Sequence, residues 1–124
     1  MTVLHVKVGE PLAESLARAG RAMQALQRGE KPAAYHGVGF DEMAQMLAVF
    51  TPQRWALIGA LRAAGPVTVA ELARRLNRDY KNVHGDVAAL AQWRAVQRTD
   101  DGRVSVPWSE IVVDLKLPEA VAAR

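Results

Sequence analysis

One short stretch of this sequence concentrates side chains that can form specific hydrogen bonds with a nucleic acid. It is RDYKNVHGDVAAL, residues 78–90. Its long polar groups lie before Gly85, and only Asp86 interrupts the small and apolar residues that follow. Asparagine pairs bidentately with adenine, and arginine or lysine with guanine, so this composition is suited to reading base edges. The candidate DNA contacts in this stretch are Arg78, Tyr80, Lys81, Asn82, His84 and Gly85.

The spacing of the apolar residues predicts that this stretch is a helix with its polar groups turned outward. Val83, Val87 and Leu90 recur at the intervals of one helical face. At ~3.6 residues per turn, Lys81 lies about 160° from Val83, and Gly85 about 200°. A helix in the major groove reads bases with its first turn, and its free N–H groups and positive dipole end attract phosphate. The stretch therefore has the features of a recognition helix.

Gly85 is an unexpected residue for the middle of a helix. Glycine weakens a helix by about 1 kcal/mol relative to alanine. One interpretation is that the backbone must come close to DNA at this position. The other is that a longer side chain was lost there at small cost, and the sequence leaves both open.

Start and stop signals predict three helices that position these side chains. Thr51-Pro52 is a strong helix start, and Gly65-Pro66 ends that helix. Residues 68–71, T-V-A-E, have the spacing of a capping box. Asp79 is the expected N-cap of the third helix. The predicted helices are 52–64, 69–76 and a third that runs from about residue 80 to about Trp93.

A predicted hairpin follows the third helix. Its turn, Thr99-Asp100-Asp101-Gly102, separates two short β-type runs. Arg98 and Arg103 flank the turn, where they can contact phosphates or the minor groove. The acidic tip argues against deep insertion, and an ordinary exposed hairpin is the alternative. These two arginines and Thr68, which starts the second helix, complete the candidate DNA contacts.

The order helix, helix, turn, helix, hairpin is that of a winged helix-turn-helix. Alternating residues predict further strands at 2–8, 33–40 and 111–117. The predicted fold class is α+β, a winged helix-turn-helix domain with an N-terminal strand-helix-strand extension and a C-terminal strand. The expected segments are 1–50, 51–107 and 108–124. The N-terminal helix has an apolar stripe of Leu12, Leu16, Ala19, Met23 and Leu26, and a helix from Asp41 carries Met43, Met46, Leu47 and Phe50 on one face.

The composition limits the class of protein. The 124 residues include no cysteine, which excludes disulfides, zinc–thiolate and iron–sulfur sites and cysteine nucleophiles. No secretory signal or membrane-length apolar run is evident, so a cytoplasmic protein is expected. The net charge is +3, and residues 52–106 carry nine basic and five acidic side chains. This local excess favours a polyanionic partner, although an uneven solvated surface is an equal alternative.

No arrangement of residues favours catalysis. His5, His36 and His84 lack metal-ligand spacing. Gly37-Val38-Gly39 lacks the third glycine and the strand–turn–helix context of a dinucleotide-binding loop. We therefore predict that the protein is not an enzyme and uses no cofactor and no metal.

From Thr51 to Arg98 the sequence resembles the winged-helix domain of MarR/ArsR-like DNA-binding proteins of prokaryotes. The resemblance is strongest over ELARRLNRDYKNVHGDV, includes the trailing VPWSEIVVDLKL, and covers most of residues 40–117. Some such relatives are encoded beside a TumE-type toxin and are regarded as its TumA-like antitoxin. The resemblance implies a DNA-binding antitoxin that represses its own operon and binds a toxin. Gly85 departs from the expected pattern, in which a basic residue would stand there and contact a phosphate, and residues 92–95 stand where such domains usually have a Leu-Gly-type helix exit.

The expected partner is double-stranded DNA, with a homodimer bound to a palindromic operator. A dimer reads two half-sites about one helical turn, ~34 Å, apart. The N-terminal helix and the terminal strands are candidate surfaces for the dimer or a toxin; alternatively, they close the monomer's own core. The alternative functions are a winged-helix protein-interaction module and a stand-alone repressor without a toxin. RNA binding has little support, because no platform of exposed aromatic side chains is evident.

Overall fold

In a computed structural model, residues 2–117, the part of the chain that the structure describes, form a small mixed α/β fold. This part contains five helices, a three-stranded sheet and a two-stranded hairpin. None of these helices has the length and apolarity needed to span a membrane. Residues 118–124 of the predicted C-terminal segment lie outside the described residues. The elements are β1 (Val3–Val8), α1 (Leu12–Gln27), β2 (His36–Phe40), α2 (Met43–Val49), α3 (Pro52–Ala64), α4 (Val69–Leu76), α5 (Tyr80–Gln92), β3 (Gln97–Arg98), β4 (Val104–Ser105) and β5 (Glu110–Leu115).

All three strands of the sheet are parallel, in the order β2-β1-β5. β1 lies in the middle, with Val3 opposite Glu110 and Val8 opposite Leu115. The predicted first and last strands therefore pair with each other within one chain. Just before β5, the backbone N–H of Ser109 donates to the Thr2 carbonyl at 2.8 Å and extends this contact.

Local caps explain where α3 and α5 begin. The Thr51 hydroxyl accepts the Arg54 backbone N–H at 3.2 Å, and the Asp79 carboxylate accepts the Asn82 N–H at 3.3 Å. Each cap satisfies one of the N–H groups that a helix start leaves without an intrahelical partner. Both N-caps and the predicted bounds of the three central helices are confirmed.

The capping box predicted for α4 is half wrong. The Thr68 hydroxyl does accept the Glu71 N–H at 3.2 Å. The Glu71 carboxylate, however, pairs with Arg74 and Arg75 on its own helix instead of returning to the cap. Two nearby guanidinium groups attract the carboxylate more strongly than one backbone N–H does. A reciprocal capping box occurs instead at Glu42, the N-cap of α2.

The core lies between the sheet and the helices α2 to α5. Leu4 and Val6 of β1 are fully buried, as are Leu57 and Leu90 of the helical layer. Phe50, between α2 and α3, is also fully buried. All of these side chains belong to one cluster. The core therefore joins the predicted segments 1–50 and 51–107.

The apolar stripe of α1 is exposed, so the interpretation that it closes the monomer's core is wrong. Leu12 is 73% exposed, and Leu16, Met23 and Leu26 are more than half exposed. The helix turns a different side toward the sheet, on which Arg18 is partly covered and Ala25 is buried. Between helix and sheet lies Tyr35, with its ring 4.2 Å from the Arg18 guanidinium and 5.0 Å from the His5 ring.

Two further apolar faces are less covered than predicted. α2 begins at Met43 rather than Asp41, and Met43 and Leu47 are exposed while Met46 and Phe50 are buried. In β5, only Ile111 packs against the core. The other predicted inward residues, Val113, Leu115 and Leu117, are exposed because no helix of the described part covers this edge of the sheet.

Candidate nucleic-acid interface

α4, a short turn and α5 hold the predicted recognition segment in a fixed orientation. α4 is followed by Asn77, whose backbone is left-handed with φ 52°. This conformation ends the helix and is one that asparagine tolerates better than most residues. α5 then packs against the core through Val83, Val87 and Leu90, which are all fully buried as predicted.

The opposite side of α5 presents the predicted polar side chains to solvent. Lys81, Asn82 and His84 are exposed. Tyr80 is 53% exposed, and its ring centroid lies 5.8 Å from that of His84, one helical turn away. Gly85 is also exposed, and a Cβ built there has no atom within 4 Å. The start of α5 thus carries long, exposed polar side chains, and the next exposed position, Gly85, has no side chain.

Arg78 does not belong to this exposed group. Its side chain is only 18% exposed and forms an ion pair with Asp86 at 2.8 Å. Asp86 is 16% exposed and also binds Arg54 of α3, with an N–O distance of 3.0 Å. A base contact by Arg78 is incompatible with this conformation. The residue instead connects the turn to α5.

Sequence reasoning missed the role of Arg54 and Asp86. Arg54 also donates to the carbonyl of Val49 at 2.9 Å, so one side chain joins α2, α3 and α5. The available signal was the position of Asp86 on the helical wheel, about 60° from the buried Val83. A carboxylate that close to the core needs a cation, and Arg78 and Arg54 supply it.

The N-terminus of α5 is less suited to a phosphate than predicted. The sequence predicts that its free N–H groups and dipole attract an anion. The carboxylate of Asp79 already accepts the Asn82 N–H there. A phosphate at the same point would be repelled by this negative charge.

The hairpin carries both predicted arginines on exposed positions. Arg103 lies 3.5 Å from the Asp101 carboxylate, whereas Arg98 faces solvent without an ion pair among the described residues. The Val104 N–H donates to the Val67 carbonyl at 2.8 Å, which attaches the hairpin to the segment before α4. Thr68 is the next residue and is also exposed, although its hydroxyl oxygen already caps α4. The structure therefore places Thr68 beside the base of the hairpin.

The exit of α5, residues 92–95, has no glycine but contains one residue in a left-handed backbone conformation. Arg94 has a left-handed φ of 68°, a conformation that glycine adopts without strain. Its guanidinium lies 3.1 Å from His36 Nδ1, and its carbonyl accepts the Trp108 indole N–H at 2.8 Å. These contacts connect the end of α5 to β2 and to the segment before β5. They direct Arg94 away from the polar side of α5.

A protein-family model described as HVO_A0114 matches residues 49–113, just over half of the chain. The matched region runs from the end of α2 through the exposed side of α5 and the hairpin into β5. Comparisons with curated proteins and with solved structures give no match.

Proposed function

The chain belongs to the HVO_A0114 family, and we propose that it is a sequence-specific DNA-binding regulator built on a winged helix-turn-helix. In this proposal α4 and α5 form the helix-turn-helix, and the β3–β4 hairpin is the wing. α5 enters the major groove with its first turn, and a homodimer binds a palindromic operator.

The observation that carries the proposal is the division of α5 into two sides. Its apolar side is fixed in the core, and its exposed side begins with Lys81, Asn82 and His84 and continues with Gly85 and Ala88. Lysine and asparagine match guanine and adenine edges, each good bidentate contact contributing roughly 1–3 kcal/mol of discrimination. The small residues behind them let the helix body approach the groove.

The hairpin supports the same orientation. Arg98 and Arg103 are exposed on it. Arginines at such a position contact phosphates, which adds affinity without sequence preference. In this proposal their phosphate contacts orient α5, whereas base contacts by Lys81 and Asn82 provide the sequence specificity.

Binding to the DNA immediately upstream of the gene tests this function. We would measure dissociation constants over a salt series for the wild type and for Lys81→Ala/Asn82→Ala. The expected result is steep salt dependence and a loss of at least about tenfold in affinity for that site, with a smaller loss on unrelated DNA. The matched control is Arg21→Ala/Gln24→Ala, which removes an exposed cation and an exposed amide from α1.

The proposal would be contradicted if the wild type and Lys81→Ala/Asn82→Ala bound equally weakly to the upstream DNA and to unrelated DNA. The domain would then be better described as a winged-helix protein-interaction module. Its polar α5 surface would face a protein.

We further propose that the protein is an antitoxin that represses its own operon and binds a toxin. The support is the resemblance to proteins encoded beside TumE-type toxins, together with the exposed stripe of α1. Four large apolar side chains, Leu12, Leu16, Met23 and Leu26, exceed half exposure on that helix. Contiguous exposed apolar surface of this kind is typical of protein-binding sites.

Co-purification with the product of the adjacent gene tests the antitoxin proposal. Leu16→Ser/Met23→Ser should abolish co-purification and leave DNA binding intact. Lys81→Ala/Asn82→Ala should do the reverse. If no adjacent product binds the wild type while the operator does, the protein is a stand-alone repressor.

A further inference from the structure

Among the strands that the structure describes, β5 has an open edge whose backbone groups lack a strand partner. Within residues 2–117, β1 is the only strand paired with it. The Lys116 N–H donates to the Val8 carbonyl at 2.9 Å. Because successive N–H groups along a strand point in opposite directions, those of Ile111, Val113 and Leu115 point to the open edge. Natural proteins rarely leave a regular apolar edge of this length uncovered.

The side chains along this edge are also uncovered. Ile111, Val113 and Leu115 share the inner face of the sheet with the buried residues of β1, by the register of the two strands. Val113 is 40% exposed and Leu115 41%. A shallow groove between Leu115 and Met43 of α2 extends this apolar surface toward the helical layer.

We propose that β5 pairs antiparallel with β5 of a second copy of this chain, about a two-fold axis through Val113. The two sheets then become one sheet of six strands. Val113 lies opposite Val113 of the second copy, and Ile111 lies opposite Leu115. Their outward N–H and C=O groups complete the hydrogen-bond ladder, and their side chains cover each other on the inner face.

The charges of β5 favour pairing with a second copy of the same strand, and they favour the register centred on Val113. In the proposed register, Glu110 of each copy lies opposite Lys116 of the other, which gives two attractive cross-strand pairs. An axis through Val112 would instead set Glu110 opposite Asp114, and an axis through Asp114 would set that carboxylate opposite itself. Like charges directly opposite each other are destabilising. A register shifted by a single residue would set the outward N–H groups of one copy opposite residues of the other whose backbone groups point to their own β1, so the ladder could not form.

This pairing specifies the surface of the homodimer in the proposed function, but it does not rest on DNA binding. It can be measured without DNA, so failure of one proposal leaves the other standing. The stripe of α1 is not part of it.

Single cysteines in the full chain test the register directly, because the wild type has none. With Val113→Cys, the two Cα atoms across the axis are about 5.5 Å apart, within the range of a disulfide. Val112 is almost equally exposed, at 39%. With Val112→Cys, however, the two cysteines are diagonal neighbours across the paired strands. They lie about 7–8 Å apart, too far for an easy disulfide. Mild oxidation should cross-link Val113→Cys into dimers and leave Val112→Cys largely uncross-linked.

Charge reversal provides an independent test by sedimentation equilibrium. Glu110→Lys or Lys116→Glu alone should raise the dimer dissociation constant roughly tenfold, because each places two like-charged pairs across the axis. The double variant should restore it, and circular dichroism should show that all variants fold. A monomeric wild type, equal cross-linking at both cysteine positions, or single variants that dimerise normally would overturn the proposal.

Discussion

At the scale of single residues, Gly85 lies where a side chain would meet only solvent. Gly85→Ala should therefore raise the free energy of unfolding by up to about 1 kcal/mol, because alanine is the better helix former. Urea denaturation of the free protein measures this gain. A loss of stability would show that the glycine has a conformational role in the fold.

The same variant separates the two explanations of this glycine. If the backbone of α5 approaches DNA at Gly85, the more stable variant should bind the operator more weakly. Unchanged affinity would mean that the glycine is a neutral replacement.

Glu10 gives a prediction about pH. Hydrogen bonds from Arg18 and then from Ser15 lower the pKa of its carboxyl from 4.5 to about 2. A carboxyl with a lowered folded-state pKa stabilises the protein above its unfolded pKa, and this contribution disappears as the pH falls through the folded value. The stability difference between wild type and Glu10→Gln should be constant above about pH 5 and shrink from there toward pH 2.

Arg18→Ala tests the cause of that dependence. It removes the largest contribution to the lowered pKa, so the acid-sensitive difference between wild type and Glu10→Gln should be reduced in this background. Persistence of the full difference would contradict the assignment to Arg18.

The residue scale also shows what a sequence can reveal about the candidate site. Lys81, Asn82 and His84 were predictable because helical periodicity fixes which side chains oppose a buried valine. The pairing of Arg78 with Asp86 was not, because it depends on Arg54 approaching from another helix. Spacing along one helix contains no information about that approach.

At the scale of elements, Asp86 is the carboxylate that joins α3, the turn and α5. Asp86→Asn would leave two largely covered guanidinium groups without their counter-charge. We expect a loss of about 2 kcal/mol in the free energy of unfolding, less than for a fully buried pair because some exposure remains. Thermal and urea denaturation measure it.

Arg74→Ala is the control for this prediction. Arg74 also forms an ion pair, with Glu71, but its side chain is 76% exposed. Exposed pairs contribute about 0–1 kcal/mol. Equal losses for the two variants would show that the network around Asp86 has no special weight.

Helices and strands with local sequence signals were predictable, but whether another element buries their apolar faces was not. Thr51 and Asp79 mark the starts of α3 and α5 in the sequence itself. The apolar patterns of α1 and β5 predicted a helix and a strand correctly. They could not reveal that both faces stay exposed, since an apolar stripe looks the same whether its partner is in the same chain or in another.

At the scale of the whole molecule, the continuous core predicts a single unfolding transition. Leu4 in the sheet and Leu90 in α5 are both fully buried in one cluster. Leu4→Ala and Leu90→Ala should each cost about 2–5 kcal/mol and shift the same transition. Circular dichroism and the fluorescence of the three tryptophans should report it at the same midpoint.

The exposed Leu16→Ala is the control, with an expected change within about 0.5 kcal/mol. Two separated transitions, one sensitive to Leu4 and the other to Leu90, would show that the N-terminal segment folds independently of α3 to α5.

The position of β1 between β2 and β5 has a consequence during synthesis. β1 is the middle strand, yet one of its neighbours is translated about 100 residues later. At ~5–20 residues per second, the nascent chain spends about 5–20 s with one side of β1 unpaired. During that time, the unpaired side of β1 is open to pairing with a strand of a neighbouring nascent chain on the same messenger.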